Sequence, residues 1–271
     1  MSVVIKIPKK LIEVALPLDK INEACVKEAS PFTPRHPRSL HIWWARRRLA
    51  AARAVIFAQM VNDPSWKWEL EHPDEAPPGH LKASWASSRK RLFSIIEEIV
   101  AWENTANEAI FAKAHAEIRK SWAETCELNK NHPDAHKLFD PNFLPGLHDP
   151  FAGGGAIPLE AQRLGLSAFA SDLNPVPVLI NKALIEIPPL FSGRSPVNPS
   201  ATTASSLLPV QWDGPRGLAA DLQYYGQYLL EKAQEKIGHL YPQIEITKEV
   251  IEARPDLKGL LGRKITATAF I

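Results

Sequence analysis

Cysteine is nearly absent: 271 residues contain only Cys25 and Cys126. The two lie far apart and in no metal-ligand spacing. That excludes a disulfide framework and a zinc site of the chain's own, and makes a reduced, cytoplasmic compartment the expectation. Long apolar runs are also missing, and none approaches the roughly 20 residues that cross a bilayer. The opening residues, Met1 to Lys10, carry three lysines but no apolar core followed by a small-residue cleavage site, so no secretory signal is read. An excess of either charge is also missing: the formal net charge is +2, too small to imply a polyanionic partner by itself. Hydrophobic residues at 45% and charged residues at 23% are ordinary for a folded chain, with enough length for one large domain or two small ones.

One local absence is more informative. From Arg35 to Arg53 there is no acid, while arginine stands at 35, 38, 46, 47, 48 and 53. Such a concentration can neutralise several phosphates even on a nearly neutral protein.

No internal repeat is visible, and the chain reads as four regions. Residues 8–30 form an amphipathic opening segment closed by a proline-rich connector, Pro31 to Pro37. Ser39 is then read as the N-cap of a helix running to about Val61, with Ile42, Leu49, Ile56 and Met60 at helical spacing and Ala50 to Ala52 supplying propensity. After Gly79 there is no glycine or proline until Pro133. Trp85, Leu92, Ile96, Ile99, Trp102, Ile110, Ile118 and Trp122 point to a helix pair broken near Asn104-Thr105, with the tryptophans in its core. From Leu144 the pattern turns α/β: a strand ending at Leu147-His-Asp149, a helix over about 157–164, a strand over 167–171 and a helix over 176–185. That order implies a right-handed crossover and a parallel sheet. Further on, Leu218, Leu222, Tyr225, Leu229 and Ile237 share one helix face with Gly238 as its C′ residue, and Ile265 to Ile271 reads as a strand.

Asp149-Pro150-Phe151-Ala152-Gly153-Gly154-Gly155 joins the first of these strands to its helix. Glycine is needed where bare backbone must approach a ligand or take positive φ, and the helix start presents free N–H groups. Asp172, 17 residues past Gly155, ends the next strand, where a carboxylate can accept both hydroxyls of a ribose. A nicotinamide site would want a third glycine where Pro158 stands. S-adenosylmethionine has an amino group for Asp149, a ribose for Asp172 and no pyrophosphate. The plain alternative is a tight strand–helix connection that binds nothing.

Asp149 to Gly155 with Ala156 to Ala161, followed by Ala170-Ser-Asp172-Leu-Asn174-Pro175, resembles the first two motifs of adenine-specific DNA methyltransferases. Leu40-His41-Ile-Trp43-Trp44-Ala-Arg46-Arg47 is similar to the hallmark of a group of large ones that open with a domain of unknown function of the DUF1156 type. Leu18-Asp19-Lys-Ile-Asn22-Glu, Tyr224-Tyr225-Gly226 and Ile237 to Pro242 add to the likeness. Where that group usually has proline after the arginine pair, this chain has Arg48.

The resemblance implies a partial Rossmann-like class I methyltransferase sheet preceded by a mainly helical N-terminal region. The divisions are 1–70 (family-specific), 71–141 (helical insertion) and 142–271 (partial cofactor domain, truncated at its C-terminus). It also implies S-adenosylmethionine held by Asp149, Pro150, Phe151, Ala152, Gly153, Gly155, Asp172 and Asn174, with a methyl group passing to the N6 nitrogen of a flipped adenine in DNA. The Asp/Asn-Pro-Pro-Tyr/Phe segment that would carry the transfer is absent. The chain therefore reads as an N-terminal portion, with a second chain as one source of the missing half. Arg35, Arg38, Arg46, Arg47 and Arg53, with His36, His41, Trp43 and Trp44, are the residues for DNA contact. Core packing, or closure over the cofactor pocket, competes with that role. Two rival functions remain open: a non-catalytic DNA-binding module with a vestigial pocket, and methylation of RNA or protein.

Overall fold

A computed structural model describes residues 4–30, 33, 36–200 and 211–266. Arg35 and the last residues of the strand expected at 265–271 lie outside that range. The chain divides into two compact units, 1–187 and 188–271.

The first unit is mainly helical and built around one central helix. Its elements are α1 (Leu18–Ala29), α2 (Leu49–Met60), α3 (Trp66–Glu71), α4 (Gly79–Val100), α5 (Glu108–Leu128), α6 (Ala135–Leu138), β1 (Leu147–Asp149), α7 (Ala156–Arg163), β2 (Ala168–Ala170) and α8 (Pro175–Asn181). A π turn, Lys182–Glu186, continues α8. Apolar on nearly all sides, α2 must be enclosed. It buries Leu49, Ala50, Ala52, Ala54, Ile56, Phe57 and Ala58, and packs against α1, α4, α5 and α7. Leu92, Ile96 and Ile99 of α4 and Phe111, Ala114 and Ile118 of α5 recur at three- and four-residue spacing and meet that core. The helix pair of 71–141 thus shares its core with α1, α2 and α7.

Three expectations need correction here. Ser39 does not cap α2. Pro37–Ser39 is a single 3-10 turn, Ser39 Oγ donates to His36 O (2.8 Å), and residues 40–48 are irregular. The cap comes from α1: Glu28, buried, accepts Leu49 N–H through Oε1 (3.0 Å) and Ala50 N–H through Oε2 (2.9 Å). Those are two of the orphan donors that begin any helix. The second correction concerns Trp85, Trp102 and Trp122, which are only half-buried and stand outside the core. Trp102 stacks on His36 at 5.2 Å, and Trp122 Nε1 donates to Asp140 O (2.9 Å).

Buried beside Glu28 is His36. Its Nδ1 accepts Arg38 N–H (3.0 Å), which leaves Nε2–H to donate to Glu28 Oε1 (3.1 Å). Burial pushes the imidazole below its ordinary 6.5, outweighing the pull of Glu28. A depressed histidine is neutral in the fold, so its contribution is full above about pH 6.5 and is lost as pH falls through the folded value. The urea midpoint is therefore expected to fall on acidification below about pH 6.5. His36→Gln should flatten that step, and an unchanged profile in the variant would show that another group titrates.

Parallel pairing joins β1 to β2 in the register Leu147↔Ala168, His148↔Phe169, Asp149↔Ala170, with α7 between them in sequence. Among the described residues this sheet has two strands.

In the second unit, α9 (Arg216–Ile237) crosses the backbone of Arg194, which leaves no room for a Cβ at Gly217. Asp221 accepts N–H bonds from Val197 and Asn198. Leu222 (67%) and Leu229 (66%), on the apolar face read from the spacing, are exposed, and the third correction falls at the end of the helix. Gly238, at φ −57°, is right-handed and leads into a 3-10 turn rather than standing as a left-handed C′ residue. β3 (Gln243–Glu245) pairs antiparallel with β4 (Lys264–Thr266), with α10 (Lys248–Ala253) between them. β4, which overlaps only the start of the strand expected at 265–271, therefore pairs in a sheet separate from that of β1 and β2. No helix among the described residues is long and apolar enough to cross a membrane.

Candidate functional site

At the C-terminal ends of β1 and β2, the glycine turn and the irregular segment 40–48 enclose one cavity of about 1110 Å³. Parallel strands place loops, and therefore ligands, at this end. The cavity is lined by Asp149, Phe151, Ala152, Gly153, Gly154 and Asp172 from the turns. Trp43 to Arg48, one face of α2, Leu147 of β1 and the first residues of α7, Ala156 and Ile157, line the rest.

Asp172 organises the turn. Oδ2 accepts Gly153 N–H (2.9 Å) and Oδ1 accepts Asn174 N–H (2.9 Å). Those bonds, the one from Asn174 foremost, hold its carboxyl below the ordinary 3.8. Asp172 therefore stays ionised throughout about pH 5–8. Asp149 Oδ1 accepts Phe151 N–H (3.1 Å). Asn174 caps α8, its Oδ1 accepting Val176 N–H (2.9 Å). Asn174, Pro150 and Gly155 are not among the residues that line the cavity.

Glycine is required at two of these positions for identifiable reasons. A Cβ at Gly154 would stand 2.7 Å from Arg46 Nε. At Gly155, φ is +76° and a Cβ would stand 2.8 Å from Asn181 Oδ1. Asn181 is a site residue that the sequence reading missed. Buried on α8, it donates through Nδ2 to Gly153 O (3.1 Å) and Pro177 O (2.8 Å). Nothing local marks it; only the fold brings it under the turn.

Segment 40–48 lies over the turn. Trp43 reaches Gly153, and Arg46 Nη2 donates to Gly154 O (3.1 Å). Arg46 Nε and Nη1 are shielded from solvent and have no acceptor. Burial lowers its guanidinium from the usual arginine range, while Glu28 pulls it back up. Trp44 is 88% exposed, and His41, Arg47 and Arg48 are exposed beside it.

Two of the arginines expected at DNA are elsewhere. Arg53, 1% exposed, donates to Glu160 of α7 through Nε (2.6 Å) and Nη2 (3.1 Å), and through Nη1 to Ile99 O. It is a core residue and cannot touch a phosphate. Arg38 donates to Ala29 O and Ser30 O, closing the end of α1, and His36 is buried. Among the described residues, no cluster of three or more His, Cys, Asp or Glu is placed to hold a metal ion.

No curated protein and no solved structure matches the chain. Residues 15–95, from the approach to α1 into α4 and including the segment over the glycine turn, match the family described as protein of unknown function (DUF1156).

Proposed function

We propose that this chain is the S-adenosylmethionine-binding part of an adenine-specific DNA methyltransferase, with β1, α7, β2 and α8 as the first half of a Rossmann-like class I sheet. One observation carries the reading: Asp149, the bare glycine turn and Asp172 open onto a single cavity of about 1110 Å³. Its size suits a nucleoside-sized ligand. Trp43, Phe151 and Ile157 supply apolar surface for a base, and Asp172 retains free lone pairs for the hydroxyls of a ribose. Asp149 is the acceptor for an ammonium group.

When bound, the cofactor supplies a methyl group on a cationic sulfur. The chain's own residues bind and orient it, and segment 40–48 keeps water from one side of it. No Asp/Asn-Pro-Pro-Tyr/Phe segment is present to hold the target amine. The reading therefore assigns cofactor binding to this chain, and not the hold on the target amine.

Titration calorimetry with S-adenosylmethionine tests the reading. Saturable binding is expected, with Asp172→Ala weakening it about 10- to 100-fold through loss of charged hydrogen bonds. A folded chain that takes up no cofactor would sink the proposal.

DNA contact is the second reading, and a specific observation favours it. Trp44, Arg47 and Arg48 stand exposed on the cavity rim, and neither arginine has an ion pair among the described residues. Here Asp172→Ala should spare DNA affinity, whereas Arg47→Ala with Arg48→Ala should lower it and flatten its salt dependence.

A further inference from the structure

Residues 40–48, which lie over the glycine turn, form no helix or strand, so their place depends on what holds the two ends. At the far end Leu49 and Ala50 donate to Glu28. At the near end the Pro37–Ser39 turn is held by His36, whose Nδ1 accepts Arg38 N–H (3.0 Å). The two anchors are joined. His36 Nε2 donates to Glu28 Oε1 (3.1 Å), and the side chains are 3% and 2% exposed.

Each imidazole nitrogen therefore has a fixed role. Nδ1 must be the bare, accepting nitrogen, and only the neutral ring has one. A second proton would sit on Nδ1 and face the Arg38 N–H, donor against donor. The charged groups that face the ring are Glu28 from α1, Arg38 on its own turn and Arg46 from the segment. The 3-10 turn after α4 brings the neutral ring of Trp102. An added charge would meet two guanidiniums and one carboxylate, which already accepts from two backbone N–H groups. Burial accordingly pushes the imidazole below its ordinary 6.5. A group that resists protonation in the closed arrangement favours, once protonated, any arrangement that exposes it. The smallest such change releases the turn, and with it the near end of the segment.

We propose that His36 is a proton-operated latch: neutral, it holds segment 40–48 over the cavity, and doubly protonated, it lets the segment lift and opens the cavity to solvent. Glu28, His36, Arg38 and Arg46 all lie in the region that matches the family of unknown function. The latch depends on where the segment lies and not on which ligand the cavity takes.

Hydrogen exchange at single amides of the full chain, read by NMR and corrected for the intrinsic effect of pH, tests the latch. The amides of Arg38, Leu49 and Ala50 report the anchors, and those of Ile96 and Ile118 report the buried core of α4 and α5. Below about pH 6.5 the anchor amides should lose protection, by up to about tenfold per pH unit for one proton. They should stay less protected than the core at every pH, as local opening requires. His36→Gln, which keeps a donor for Glu28 and does not titrate, should abolish the pH dependence. Anchor amides that exchange only in step with the core would mean opening by global unfolding alone, and would overturn the proposal. So would a pH dependence unchanged in His36→Gln. In the wild type alone, an imidazole doubly protonated at about pH 7 with protection intact would do the same. Calorimetry with S-adenosylhomocysteine extends the test to the cavity under the cofactor reading. Affinity should fall over the same pH range in the wild type and hold in the variant. Faster exchange with unchanged affinity would show that the segment does not govern the cavity, and would overturn that part. No binding at any pH would remove the cofactor reading and leave the exchange result to decide the latch.

Discussion

Arg53→Met is expected to cost about 3–5 kcal/mol of stability, the range for removing one member of a buried ion pair. Arg53 is 1% exposed and Glu160 is 0% exposed, so the methionine would strand a carboxylate inside the helical core. Arg163 Nη1 lies 3.4 Å from Glu160 Oε1, too distant and too poorly aimed to replace the two bonds from Arg53. The same guanidinium sits 5.8 Å from the Phe111 ring and bonds Ile99 O at the end of α4. One side chain therefore ties α2 to α4, α5 and α7. The pair itself is replaceable: Arg53→Met with Glu160→Met should recover most of the loss, because two apolar side chains need no partners. Recovery would be incomplete, as Ile99 O would still lack its donor. Urea denaturation of the two single variants and the double variant measures this directly. A single-variant cost under about 1 kcal/mol would mean that Arg53 is solvated after all, and would return it to the residues available to DNA.

Arg53 also illustrates where sequence reasoning fails. Within a run of six arginines it reads as surface charge, and its partner lies 107 residues away. Long-range pairing of that kind leaves no local trace. The start of α2 was misread for a related reason. Ser39 has the chemistry of a cap and stands close to an alanine-rich run, but the carboxylate that caps the helix sits 21 residues before Leu49. The glycine turn, by contrast, was legible almost residue by residue. Its constraints are local: positive φ at Gly153 and Gly155, a strand ending at Asp149, and a helix beginning one residue past Gly155. Asp172 was legible too, because parallel pairing over three residues fixes its distance from the turn. The apolar face of α9 was legible from its spacing, and that Leu222 and Leu229 on it are exposed was not. Periodicity shows that a face exists and says nothing about what lies against it.

Glu28→Ala is expected to cost about 3–5 kcal/mol and to weaken ligand binding together with stability. The carboxylate is 2% exposed and joins three elements, accepting from the first two N–H groups of α2 and from His36. Alanine would leave all three donors without a partner in a space too tight to admit water freely, and buried unsatisfied donors cost about 1–3 kcal/mol each. The helix N-terminus would also lose a favourable negative charge. The functional consequence follows from position. Segment 40–48 is held at one end by the His36 turn and at the other by the first residues of α2, and Glu28 bonds both. Freed at its ends, the segment would no longer hold Trp43 and Arg46 against the glycine turn. On the proposed cofactor reading, affinity for S-adenosylhomocysteine should therefore fall even where the protein remains folded. Glu28→Gln separates the two effects: it retains an acceptor for one N–H group while removing the charge, and should show a smaller loss of both. Denaturation and calorimetry on the same preparations give the answer. If Glu28→Ala lowered stability by the expected amount but left affinity unchanged, segment 40–48 would not depend on its anchors, and its place over the pocket would need another cause.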